Sequence, residues 1–109
     1  MIPKKFVGNW TIDETSEWDA DFLHMVETAK IEIHPDGMGR FRFGCVETEI
    51  DCEPDAWSPQ EILHFSFEGG DEGTPVCGRG SVKLEGEHLL GNFAFHLGDR
   101  SAFKASKRS

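Results

Sequence analysis

Lys30-Ile-Glu-Ile-His-Pro-Asp-Gly-Met-Gly-Arg-Phe-Arg-Phe43 is the stretch whose reading decides the fold. Ile31 and Ile33 alternate with Lys30, Glu32 and His34, which is the period of a half-buried strand. Pro35-Asp-Gly-Met-Gly39 supplies a turn, because proline presets φ and glycine accepts positive φ without steric cost. Phe41 and Phe43 then alternate with Arg40 and Arg42. Two apolar-alternating runs around a turn predict an antiparallel hairpin.

Outward from this hairpin the period of two continues. Phe6-Val-Gly-Asn-Trp-Thr-Ile12 places Phe6, Gly8, Trp10 and Ile12 on one face. Beyond Gly44 the phase slips, with Val46, Ile50 and Cys52 on the apolar side. The slip reads as a bulge at Gly44-Cys45 that bends one long strand around a barrel corner. After the polar connection Glu53-Pro-Asp-Ala-Trp-Ser-Pro59, Leu63, Phe65 and Phe67 alternate with His64, Ser66 and Glu68. A loop over Gly69-Gly-Asp-Glu-Gly-Thr-Pro75 leads to Gly78, Gly80, Val82 and Leu84. Gly86-Glu87 turns into a strand with Phe93 and Phe95 inward, and Phe103 anchors the last strand. Seven strands joined mainly by short connections predict an all-β fold, an antiparallel meander closed into a barrel that leaves no exposed edges.

Ser16-Glu-Trp-Asp-Ala-Asp-Phe-Leu-His-Met-Val26 departs from the pattern and predicts one short helix near residues 16–26. Ser16 is its expected cap, and Trp18, Phe22, Met25 and Val26 fall on one helical face that plugs a barrel end. No internal repeat or low-complexity segment divides the chain, so residues 1–109 are expected to form a single domain.

The chain of 109 residues is 38% hydrophobic and 28% charged, values typical of one globular domain. Twenty acids against eleven bases leave a net charge of −9, which argues against nucleic-acid or anionic-membrane partners held through a charged face. Lys4, Lys5, Lys104, Lys107 and Arg108 lie near the two ends. Residues 6–103 therefore carry six bases against all twenty acids, a net of −14. That acidity serves solubility or a basic partner. No apolar run is long enough to span a membrane, and the opening residues lack a signal-like apolar stretch, so the expected address is the cytoplasm. Cys45, Cys52 and Cys77 are expected to be reduced, inert and at least partly buried. There is no CxxC or HxxxH spacing, so neither a metal site nor another cofactor is expected. A barrel of about eight strands encloses either packed side chains or one small ligand. Nine phenylalanines and three tryptophans in so short a chain favour a filled interior.

Two resemblances add to this reading. Gly8-Asn-Trp10 resembles the Gly-x-Trp that opens lipocalin-type barrels. The resemblance implies that Trp10 packs at a closed barrel end beneath a basic residue of the last strand, with Lys104 the first candidate and Lys107 and Arg108 behind it. Glu17-Trp-Asp-Ala-Asp21, Arg40-Phe-Arg-Phe-Gly44 with Ile50-Asp-Cys52, Phe65-Ser-Phe-Glu-Gly-Gly-Asp-Glu72, Cys77-Gly-Arg-Gly80 and His96-Leu-Gly-Asp-Arg-Ser-Ala-Phe103 are similar to a family of small bacterial proteins without an assigned activity. That resemblance implies a bacterial cytoplasmic protein and says nothing about chemistry.

The candidate ligand-binding residues are Arg79, Asp71, Glu72 and His96, with Asp99 and Ser101 beside them. Arg79, between two glycines, offers a planar fork suited to a carboxylate or phosphate. The competing reading, and the favoured one, is an internal ion pair from Arg79 to Asp71 or Glu72. Ser101, His96 and Asp99 are the residue types of a nucleophilic triad, but they crowd one turn without a nucleophile elbow. His64 and His96 read as outer-face histidines. Trp57, between Pro54 and Pro59, is the aromatic expected at an exposed contact, and Trp18 is a second interaction candidate more readily packed under the barrel. The reading that leads is a non-enzymatic binding or interaction module with an acidic surface and an unknown protein or small-molecule partner. Next comes a small-ligand barrel that meets an anion through Arg79. A hydrolase using His96 comes last.

Overall fold

In a computed structural model that describes residues 2–108, the hairpin at 30–43 forms as its alternation requires. Strand β2 is Lys30–Ile33 and β3 is Met38–Phe43, with Ile31 opposite Phe41 and Ile33 opposite Gly39. Before them come a 3₁₀ turn at Lys4–Phe6, β1 at Gly8–Thr15 and helix α1 at Ala20–Leu23. After them come β4 (Val46–Pro54), β5 (Ile62–Asp71), β6 (Thr74–Glu85), β7 (His88–Phe95) and β8 (Arg100–Lys107). Each strand pairs antiparallel with the next, and β8 returns to β1, so the meander closes as an eight-stranded barrel.

The eighth strand comes from a correction at Gly44-Cys45. Those residues are not a bulge in one strand; they are the two-residue turn of a hairpin in which Phe43 faces Val46. Gly44 takes φ +53°, as the first position of a tight hairpin turn demands. A two-residue turn shifts the apolar phase by an odd number of residues, just as a bulge does.

The interior is filled. Phe41 sits at its centre, with ring centroids of Phe43, Phe65, Phe67, Phe93 and Phe103 between 5.0 and 6.1 Å away. Gly78 and Gly80 face inward, where a β-carbon would stand 2.5 Å from Phe67 Cζ and 2.4 Å from Phe65 Cζ. These glycines admit rings from the neighbouring strand, not a ligand, and Arg79 between them is turned to the outside.

One barrel end is closed by the 3₁₀ turn. Trp10 is buried and its indole N–H donates to the Phe6 carbonyl at 2.9 Å. The cation over its ring is Lys107, with Nζ 5.3 Å from the centroid, and not Lys104. The register decides this, since Trp10 pairs with Lys107 while Lys104 lies opposite Glu14. Both ends of the described chain reach this side, carrying Lys4, Lys5, Lys107 and Arg108 with them.

Helix α1 lies at the opposite end, shorter than residues 16–26. Asp19, not Ser16, is its cap, accepting from Phe22 N at 3.0 Å. Ser16 instead extends the β1–β8 ladder: its N–H donates to Ala102 O, and its hydroxyl accepts from Ala102 N at 2.9 Å. Trp18 stacks on Phe93, but Met25 and Val26 are exposed, beyond the helix and off the predicted face. No helix among the described residues is long and apolar enough to cross a membrane.

Candidate functional site

Four connections converge at the α1 end: the segment between β1 and β2, the Gly44-Cys45 turn, the β5–β6 hairpin and the β7–β8 turn. Arg42 fixes the first of them. Although it points out of the barrel it is buried, and it donates to Glu27 O at 3.1 Å and Gly44 O at 3.3 Å. Leu23 O accepts from Gly44 N at 2.8 Å, which seats α1 on the turn. The helix is short, so it covers only part of the mouth.

The uncovered part is a groove of about 490 Å³. Trp18, Phe22, Phe43 and Phe95 wall it together with Val46 and Val76, and Asp71, Asp99 and His96 stand among its lining residues. Trp18 lies 5.0 Å from Phe43 and 6.0 Å from Phe22, centroid to centroid. Most of these side chains pack on the core while keeping a face to the groove: Trp18, Phe22, Phe95 and Val76 are half-buried. At its rim Leu97 is 94% exposed and holds φ +57°, a conformation that bulky L-residues rarely adopt.

The charge around this end is mostly negative. Glu17, Asp19, Asp21, Glu27, Asp71, Glu72 and Asp99 are all exposed, and residues 16–29, 71–73 and 96–99 contain no lysine or arginine. Of the cations that adjoin them in sequence, Lys30 is paired with Glu32 at 2.6 Å and Arg100 begins β8. The barrel thus has an acidic open end and gathers its terminal lysines at the closed one.

The candidate residues divide between two places. Asp71, Asp99, His96 and Trp18 share the groove, because the β5–β6 and β7–β8 connections open at the same end. Arg79 does not join Asp71 or Glu72. Register sets Ser66 opposite Arg79 and Thr74 opposite Asp71, leaving about 16 Å of strand between the two positions. Arg79 is exposed and has no ion pair among the described residues. With His96, just past β7, it lines a second concavity on the outer wall of β3–β6, where Glu49, Asp51 and Glu68 also project. Glu72 sits at the hairpin tip with φ +50°. Hydrogen bonding to its carboxylate raises the Cys45 thiol above its ordinary pKa.

Ser101 is buried; its hydroxyl donates to Ala102 O at 2.9 Å and lies 3.3 Å from Ser16 Oγ, and neither His96 nor Asp99 is a partner. Asp55 accepts from Trp57 N, from Ser58 N and from His64 Nε2, the last at 2.9 Å, and bonding to His64 lowers its pKa. This carboxylate shapes the loop that carries Trp57, which is 94% exposed near the closed end. The cysteines divide: Cys52 is buried, Cys45 is partly covered, and Cys77 is exposed on the outer face of β6, contrary to the expectation that all three are sheltered. Burial pushes the Cys52 thiol up to about 12. Among the described residues no three His, Cys, Asp or Glu side chains gather to hold a metal ion.

The sequence reading missed Phe22, Phe43, Phe95, Val46 and Val76 as groove walls. Alternation assigns Phe43, Phe95 and Val46 to the interior; Phe43 and Val46 are buried there and only edge the groove, while Phe95 is half-buried and keeps a face to it. The local signal that existed was Leu97, a large apolar residue in a turn beside Gly98. The chain matches no protein-family model, no curated protein and no solved structure.

Proposed function

We propose that this protein is a non-enzymatic binding module that engages a partner protein through the open end of its barrel. One observation carries the reading. The interior is packed with phenylalanine rings around Phe41, so the apolar concavity lies outside the core, between α1 and the β5–β6 and β7–β8 connections. Half-buried aromatics with exposed apolar neighbours (Leu97, Met25 and Val26) are the composition of a contact surface. The same reading places the protein in the bacterial cytoplasm, the address expected from its sequence.

A photo-crosslinking side chain at Leu97, compared with one at Glu87 in the β6–β7 turn at the other end, tests the proposal in the cell that makes the protein. Adducts of discrete mass from position 97 alone are expected. No adduct from 97, or the same adducts from both positions, contradicts it.

The unpaired state of Arg79 favours a second reading, in which the outer concavity holds a small anion. The three carboxylates in that concavity weigh against it. Titration with inorganic phosphate separates the readings: perturbation of amides at residues 66, 79 and 96 supports the anion site, and their silence removes it.

A further inference from the structure

We infer that the partner's docking segment is cationic and apolar: a short stretch of chain with an aliphatic or aromatic anchor flanked by lysine or arginine. The inference rests on the proposal that the open end binds a protein, and names the chemistry that end selects.

The groove has two properties that must be met together. Trp18, Phe22 and Phe95, half-buried in its walls, reward an apolar anchor that removes their exposed faces from water. Its lining also carries Asp71 and Asp99, and the remaining exposed carboxylates of this end stand around it without a lysine or arginine in their connections. An anionic or neutral apolar segment satisfies the first property and is repelled or left unrewarded by the second. A segment with cations beside its anchor satisfies both, and aromatic faces add attraction for a cation that reaches them.

The outer-wall concavity offers no such match, since it mixes Arg79 with Glu49, Asp51 and Glu68 and lacks an aromatic wall beyond Phe67.

The test titrates the intact protein with an amidated peptide, Lys-Lys-Phe-Leu-Lys-Lys, and with its counterpart carrying glutamate at every lysine. The indole and amide N–H signals are followed by NMR. The lysine peptide is expected to move the Trp18 indole and the amides of Asp71, Gly98 and Asp99, leaving the Trp10 indole in place. Affinity should fall at least tenfold for the glutamate peptide, for Asp71→Asn combined with Asp99→Asn, and for the wild-type protein at 1 M salt, where screening shortens to about 3 Å. Both substituted positions are exposed, and the salt series needs no variant.

Equal binding of both peptides in the groove would overturn the cationic assignment while leaving the open-end reading intact. Lysine-peptide shifts confined to other faces, or no shift at the groove with either peptide, would overturn both.

Discussion

The ring of Phe22 lies against Gly44 so closely that a β-carbon there would stand 2.7 Å from Phe22 Cε2. This contact couples the tight turn of β3–β4 to the helix that partly covers the barrel mouth, so the size of the groove depends on a missing side chain. Gly44→Ala must displace Phe22 and hold a β-carbon at φ +53°, a left-handed conformation costing about 1–2 kcal/mol. An unfolding free energy lowered by at least that amount is expected from denaturant titration, together with a shifted Trp18 indole signal, since Trp18 stacks on Phe22.

Removing the central ring should cost far more. Phe41→Ala leaves a cavity among five phenylalanines, and such truncations destabilise by about 3–5 kcal/mol. Equilibrium denaturation checks the loss. A hollow barrel would tolerate the change at much smaller cost.

Arg42 and Arg79 should behave oppositely, although both point outward from the sheet. Arg42 is buried and donates to two backbone carbonyls, so Arg42→Ala should destabilise by about 3 kcal/mol. Arg79 is exposed and unpaired among the described residues, so Arg79→Ala should stay within about 0.5 kcal/mol of wild type. Paired urea titrations of the two variants decide it.

How much of this was legible in the sequence follows from how local each signal is. Alternation over Lys30–Phe43 and its neighbours specified an antiparallel meander because one face of each strand is buried. The Gly44-Cys45 turn was misread because a bulge and a two-residue hairpin produce the same slip of phase. Ser16 was misassigned as the helix cap for a different reason: its hydroxyl is occupied by Ala102, a partner on the last strand that no local pattern announces. Arg79 was paired with Asp71 and Glu72 by nearness in sequence, whereas an extended strand separates what a helix or a loop brings together. The groove was invisible because it depends on how little of the barrel mouth α1 covers.

The thiols give a test of burial and of charge. Cys77 should react rapidly at pH 8, and Cys77→Ser should abolish the fast phase. Cys52 should stay silent, its thiol held near 12 by burial. Cys45 should react slowly and accelerate in Glu72→Gln, which removes the carboxylate that disfavours its thiolate.

Asp55 gives a pH dependence of definite sign. Its pKa is lowered in the folded protein, first by the bond to His64 and then by Trp57 N–H. The stabilising contribution is therefore complete above the ordinary aspartate range and is lost as pH falls through the depressed folded value. Carboxyl NMR should find the Asp55 midpoint below that of an ordinary aspartate, and His64→Ala should raise it. Loosening of the Trp57 loop on acidification should follow the same midpoint.

The central claim is that the barrel is full and that its apolar binding surface lies at the open end. Titration with toluene, a small neutral aromatic probe, followed by aromatic and methyl NMR, tests this most directly. Shifts confined to Trp18, Phe22, Val46, Val76 and Phe95 are the predicted result. Shifts centred on Phe41, Phe65 and Phe103 would place the ligand space inside the barrel and contradict the account.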